Sequence, residues 1–173
     1  MIYLGIWFYL ILQRLYELRL AKSNEKYQKA RGAIEIQDPY YHWIVWVHTI
    51  FFLALLIEAY FNHQLQATLS AIWLISFVVL QLLRFWLLHT MGRFWNTKII
   101  VLPGARLVNR GLFRFVRHPN YWIVFLEFIV ISLLFHAYWS AIIFPILHIV
   151  LMSKRIPMEN RALEKYNEGR GEV

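Results

Sequence analysis

The chain has 173 residues, 60% of them hydrophobic and 18% aromatic, with only 16% charged. An ordinary soluble domain carries about 25% charged residues, and here the apolar residues fall in runs long enough to cross about 30 Å of hydrocarbon, so a soluble globule is excluded. The net charge of +8 does not mark a nucleic-acid binder, because the basic residues sit in the gaps between apolar runs, as the positive-inside rule expects. With no cysteine there is no disulfide, thiolate metal site or Cys nucleophile.

The first apolar run starts at Met1 and ends where Gln13, Arg14 and Glu17 interrupt it. Its membrane part is expected to stop near Leu12 to Leu15, with the helix running on into water. It lacks a basic start and a small-residue cleavage site, so it reads as a span rather than a signal peptide. A polar segment, Lys22 to Pro39, precedes a second run from Tyr41 to Phe61. After the turn Asn62-His63-Gln64, a third run covers Leu65 to Leu88 and holds no charge before Arg84. The longest polar stretch, Met91 to Asn120, contains a β-branched segment from Thr97 to Leu102, a turn at Pro103-Gly104 and a break at Gly111.

A fourth run, Tyr121 to Phe135, and a fifth, Trp139 to Met152, are short for full spans and are joined by His136-Ala137-Tyr138. They predict a helical hairpin entering a thinned or protein-lined region. The tail from Ser153 is expected to form a separate amphipathic helix with Pro157 in its first turn. The fold class is therefore all-α, with about five transmembrane helices, a C-terminal hairpin and a cytosolic tail helix. Residues 1–90 would supply three spans, and residues 91–173 the loop, hairpin and tail that form a cofactor site. All eighteen Lys and Arg fall after the first, third and fifth runs (counting Arg14, Arg19 and Arg84 there). That places a multi-pass protein in the cell membrane with its N-terminus outside and its C-terminus cytoplasmic.

Three features could carry chemistry. Arg114-Phe-Val-Arg117-His118-Pro119-Asn120-Tyr121 stands where the long loop enters the fourth run. Pro119 suits a helix start, and the free N–H groups beyond it face the loop, so the cluster is either a cradle for a polar, carboxylate-bearing small molecule or a set of interface anchors. Arg155 and Glu159, four apart, would share a helix face at the exit of the fifth run, and the hairpin brings them near His118 and Tyr121; an exposed ion pair is the alternative. Glu127 lies about two turns inside the fourth run, where a carboxylate costs a few kcal/mol unless partnered. It is read either as a cofactor or substrate contact, or as a buried partner of a His, Gln or Tyr. Glu58 is expected to reach the outer interface. None of the seven histidines pairs at helical ligand spacing with an acidic neighbour, so no metal is expected.

Arg117-His118-Pro119-Asn120-Tyr121, a short hairpin, and then Arg155-x-x-x-Glu159-x-x-x-Leu163 resemble the isoprenylcysteine carboxyl methyltransferase family over Leu107 to Tyr166. Arg14-Leu-Tyr-Glu17 and Arg31-Gly-Ala-Ile-Glu35 resemble its bacterial branch beside type III polyketide synthases, associated with O-methylation of alkylpyrones. The resemblance implies S-adenosylmethionine as methyl donor, held by Arg117, His118, Pro119, Asn120, Tyr121 and the hairpin end. It also implies that Arg155 and Glu159 line the junction of cofactor and acceptor. Where the family often carries two adjacent acids, this chain has Glu159 followed by Asn160, leaving one carboxylate. The expected function is methyl transfer to an anionic or hydroxyl oxygen of a lipophilic acceptor entering from the bilayer. An alkylpyrone or phenolic lipid is favoured over a prenylcysteine carboxylate. The alternatives are an NADPH-dependent enzyme like the sterol reductases, or a non-catalytic membrane scaffold.

Overall fold

A computed structural model describes residues 2–62, 68–105 and 108–167. His63 and Gln64 of the expected turn, Arg106 of the long loop and the end of the tail lie outside the described residues. The described residues form five helices: α1 (Ile2–Lys29), α2 (Tyr41–Phe61), α3 (Ala71–Met91), α4 (Pro119–Leu134) and α5 (Tyr138–Asn167). A small antiparallel pair joins them, β1 (Ile34–Glu35) with β2 (Ile100–Val101), in register Ile34 to Val101 and Glu35 to Ile100. The β-branched stretch after Thr97 thus becomes a strand rather than plain loop.

Helices α2, α3 and α5 are long and apolar enough to cross a membrane. Helix α4, with 16 residues, is not long enough alone. Its burial explains why it can be short. Helix α4 packs against both α3 and α5, and Val124, Phe128 and Ile131 lie in a core that also takes Tyr3 and Leu10 of α1, Phe51 of α2 and Phe144 of α5. Phe51 is the hub of an edge-on aromatic cluster, its ring centroid 4.8 Å from Phe128 and 5.1 Å from Phe144. A helix so enclosed is solvated by protein rather than by lipid. The core also runs across the division at residue 90.

The turn between α4 and α5 is closed by Ala137 N–H donating to Ser132 O at 2.8 Å, with His136 at φ +55°. Glu58 does not simply reach the interface. Its carboxylate accepts from the backbone N–H groups of Trp139 and Ser140, at 2.7 and 2.9 Å, and from Ser140 Oγ. It therefore caps the N-terminus of α5, where a negative charge is favoured.

Two expectations about helix ends are corrected. Helix α5 continues without a break through Pro145 and Pro157, so no separate tail helix starts at Pro157. Its last turns have a surface to pack on: Ala162, with Met158, Leu163 and Tyr166, meets Ile99 and Val101 of the strand segment. In α1, Arg14 and Glu17 do not mark entry into water. They turn inward, while Leu15, Tyr16 and Leu18 keep the outer face apolar.

The inward charges form one cluster. Arg84 of α3, 1% exposed, donates Nε to Glu17 Oε1 at 2.5 Å and NH2 to Glu17 Oε2 at 2.6 Å. Its NH1 donates to Glu127 Oε2 at 2.8 Å. Arg14 donates to Glu17 and Glu127 at 3.1 and 2.8 Å, and Gln81 donates to Glu127 Oε1 at 3.3 Å. Two guanidinium and two carboxylate groups cancel, which permits burial that a single charge would not tolerate. Arg14 and Arg84 are thus not membrane-surface anchors.

Removing one member leaves the others unmatched. Arg84→Met is expected to lower stability by about 3–5 kcal/mol, the usual cost of breaking a buried pair. Adding Glu17→Gln should recover part of that loss, as read from thermal unfolding of the detergent-purified protein.

Candidate functional site

The site is built where the start of α4 meets the last third of α5 under the loop between α3 and α4. Gly111 makes the approach to α4 possible. It holds φ +60°, and a Cβ there would lie 2.9 Å from Thr90 Oγ1. The helix then opens at Pro119, with His118 as its N-cap residue. Tyr121 follows within the first turn.

Four side chains, from the N-cap and first turn of α4 and from α5, interlock here. Tyr121 donates its hydroxyl to Glu159 Oε2. The rings of His118 and Tyr121 stack at 19°, with centroids 5.5 Å apart. His118 Nε2 donates to Asn160 Oδ1 at 3.0 Å, because an amide oxygen can only accept. Its Nδ1 is then left 3.9 Å from Glu159 Oε2. Asn160, standing where a second acid would be, thus fixes the ring of His118. From α5, His148 Nε2 donates to the Tyr121 carbonyl at 3.0 Å.

Arg155 and Glu159 share a face but do not pair with each other among the described residues. Arg155 donates NH2 to Thr97 O at 2.5 Å and lies 3.5 Å from Asp38 Oδ2. Asp38, just before α2, is held in place by the Tyr40 N–H at 2.9 Å. Arg155 is 5% exposed, and its Nε has no partner among the described residues; nor has the buried Oδ1 of Asn120. Arg117 is exposed, 3.9 Å from Glu164.

Two cavities adjoin this cluster. The larger, about 620 Å³, lies on the basic side and is lined only by residues between Met91 and Glu164, with Arg117, His118, Glu159 and Asn160 on its wall. The smaller, about 240 Å³, lies within the bundle and draws on all of α1 to α5. His118, Pro119, Asn120, Tyr121, Arg155 and Glu159 line it at one end, and Arg14 and Arg84 elsewhere. Leu18, Val45 and Thr49, exposed on the outer face of α1 and α2, also contribute to its wall. His118, Glu159, Asn96 and Lys98 belong to both cavities.

Glu127 lines neither cavity. Its carboxylate accepts from Arg14, Arg84 and Gln81, which places it in the ion cluster.

Residues 71–165 match the sequence profile of the isoprenylcysteine carboxyl methyltransferase (ICMT) family. The chain belongs to that family. The ICMT family is one of membrane methyltransferases, which in general use S-adenosylmethionine. The chain is also 41% identical to an uncharacterized protein, YpbQ, of Bacillus subtilis, over 91% of this chain and 94% of that protein. It is 28% identical to an uncharacterized protein of Haemophilus influenzae, over 94% of this chain and 96% of that one.

The ICMT match starts at α3, yet the site uses residues ahead of it. Asp38 and Tyr41, as well as Asn96, Thr97, Lys98 and His148, were not singled out by the sequence. Asp38 stood among other loop charges, and only its burial distinguishes it. Lys98 carries the clearest electrostatic signature outside the membrane-spanning segments. Its ammonium lies 2.9 Å from Glu35 and 3.3 Å from Glu25, and Lys29 joins the same two carboxylates.

Hydrogen bonds to Lys29, then those to Lys98, hold the carboxyls of Glu25 and Glu35 below the usual range. A lowered folded value means the stabilisation is complete above the unfolded carboxylate range and is lost as pH falls through the folded values. Thermal unfolding followed from pH 7 downward should therefore show a loss of midpoint below about pH 4.5. Glu25→Gln/Glu35→Gln should flatten that part of the profile.

Proposed function

We propose that this ICMT-family protein transfers a methyl group from S-adenosylmethionine to an oxygen of a lipophilic acceptor at the cytoplasmic face of the cell membrane. The observation that carries the reading is the shared wall. A mainly apolar cavity within the bundle and a larger cavity on the basic side meet at His118 and Glu159. In-line transfer needs donor and acceptor held on opposite sides of one opening, and catalysis is then chiefly positioning and electrostatics.

The larger cavity suits the cofactor. It offers Glu159 to a cationic centre, Arg117 to a carboxylate and an apolar wall from Ile100 to Leu102 to a flat ring. When bound, S-adenosylmethionine supplies a sulfonium methyl: its S–CH3 bond breaks as an O–CH3 bond forms, and S-adenosylhomocysteine leaves. The chain's own part is to hold the partners. Tyr121 orients Glu159, and Asn160 orients His118. Arg155, anchored on Thr97 O, can hold an anionic acceptor oxygen through its Nε, which has no partner among the described residues. An acceptor that arrives protonated needs a base, and His118 Nδ1 or Glu159 can take that proton. Pro119, Asn120 and Tyr121, expected from the resemblance to hold the cofactor, line the smaller cavity and are assigned in this reading to the acceptor side of the opening.

The acceptor enters from the bilayer past Leu18, Val45 and Thr49, with its tail in the apolar cavity. An alkylpyrone or phenolic lipid is favoured, followed by a prenylcysteine carboxylate. The five helices all cross the membrane in this reading, with the N-terminus outside and the C-terminus cytoplasmic.

Detergent-purified protein titrated with S-adenosylmethionine in a calorimeter should bind it. His118→Ala and Glu159→Ala should each weaken binding about tenfold or more, the size of a lost charge-assisted hydrogen bond. Unchanged affinity in both variants would sink the site assignment.

A further inference from the structure

The segment Trp95-Asn96-Thr97 is held more firmly than a loop needs to be. From α1, Asn24 Nδ2 donates to Gly92 O at 3.0 Å and Trp95 O at 2.9 Å, and Gln28 Nε2 donates to Arg93 O at 2.5 Å. Both side chains are fully buried. From α5, Arg155 NH2 donates to Thr97 O at 2.5 Å, and Tyr41 Oη lies 3.3 Å from Thr97 Oγ1. Asn96 is therefore fixed between two anchored carbonyls, those of Trp95 and Thr97.

Asn96 lines both cavities, yet its Nδ2 is buried with no partner among the described residues. The Nε of Arg155, on the wall of the smaller cavity, is in the same condition. Native structures rarely leave buried donors unpaired, so two of them beside one opening call for an acceptor atom brought by a ligand. Rigid support from a second layer of hydrogen bonds is what a positioning group requires.

We propose that Asn96 is a positioning residue for the methyl acceptor: its Nδ2 donates to the acceptor oxygen or to the oxygen conjugated with it. Arg155 Nε holds the same oxygen pair. The acceptor class this fits is a delocalised oxyanion with two oxygens, an enolate conjugated to a carbonyl or a carboxylate. The inference rests on the methyl-transfer reading and adds which residue selects the acceptor. It also gives Asn24 and Gln28 a role, since they hold the backbone on which Asn96 stands.

The test uses full-length protein in detergent with two probe acceptors, an alkylpyrone bearing a free enolic hydroxyl and N-acetyl-farnesylcysteine. Asn96→Ala and the isosteric Asn96→Asp are compared with wild type for S-adenosylmethionine affinity, thermal midpoint, and kcat and KM toward each probe. The expected result is unchanged cofactor affinity and midpoint. Against this, kcat/KM for the accepted probe should fall about tenfold in Asn96→Ala, as for one lost hydrogen bond, and further in Asn96→Asp, where a carboxylate faces the oxyanion. Weakened cofactor affinity would assign Asn96 to the cofactor instead and overturn the proposal. A lowered midpoint with kcat/KM reduced equally in both variants would make it structural, with the same consequence. Unchanged kcat/KM would overturn it directly. If wild type binds S-adenosylmethionine but methylates neither probe, the oxygen-acceptor reading itself fails, and this one with it.

Discussion

The buried cluster of Arg84, Arg14, Glu17 and Glu127 is the constraint on which the rest of the bundle depends. Each of these groups alone would be costly in an apolar interior, and of the four only Arg14, which is half-buried, keeps part of its side chain exposed. Together they are neutral, and the two guanidinium groups supply enough N–H donors to occupy three of the four carboxylate oxygens, with Gln81 supplying the fourth. Because its members come from α1, α3 and α4, the cluster sets how far each helix is pushed along the others. A one-turn slip of α4 would carry Glu127 about 5.4 Å away, leaving that carboxylate unpaired and both guanidinium groups sharing Glu17 alone. The start of α4 is thereby fixed in height, and with it His118 and Tyr121.

Helix α1 shows how one long element serves three environments in turn. Near its start, Tyr3 and Leu10 enter the common core. In its middle, Arg14 and Glu17 join the ion cluster. In its last turns, Asn24 and Gln28 hold the loop after α3 by its carbonyls, and Glu25 and Lys29 meet Lys98 and Glu35. The family match covers none of α1, but the structure makes it a support for the segment that the match does cover.

The arrangement of cavities suits a reaction between a polar and a greasy molecule. One wall, on the basic side, combines Lys98, Arg117, His118 and Glu159 with an apolar stretch from Ile99 to Leu102; the other includes Ile44, Phe52 and Val124 from inside the bundle. Only a small set of side chains faces both. Tyr121, Glu159, His118 and Asn160 are linked in a chain of contacts across α4 and α5, so any shift of one helix against the other would be felt at the opening. The cap that Glu58 places on α5 and the aromatic cluster around Phe51 restrain that shift from the opposite end.

The sequence by itself determined the membrane class, the α4–α5 hairpin with its short first arm, and the approach of His118 and Tyr121 to the Arg155–Glu159 face, whereas the second arm, expected to be short, is a full-length helix. Those follow from local signals: unbroken apolar runs, a proline at a helix start, and a four-residue spacing. It also carried the family resemblance in the Arg117 to Tyr121 and Arg155 to Leu163 segments. What only the tertiary structure decided were the partners. Arg14, Glu17, Arg84 and Glu127 are separated by up to 113 residues, and a charge in an apolar run reads alike whether it snorkels, lines a site or is matched by another. The same holds for Asp38 and Asn96, ordinary loop residues until burial removes water from them. The continuous α5 had a similar cause: Pro157 looked like a start because sequence shows its missing N–H, whereas the helix's last turns are held by packing of Ala162 and Leu163 with Ile99 and Val101, which the sequence does not show.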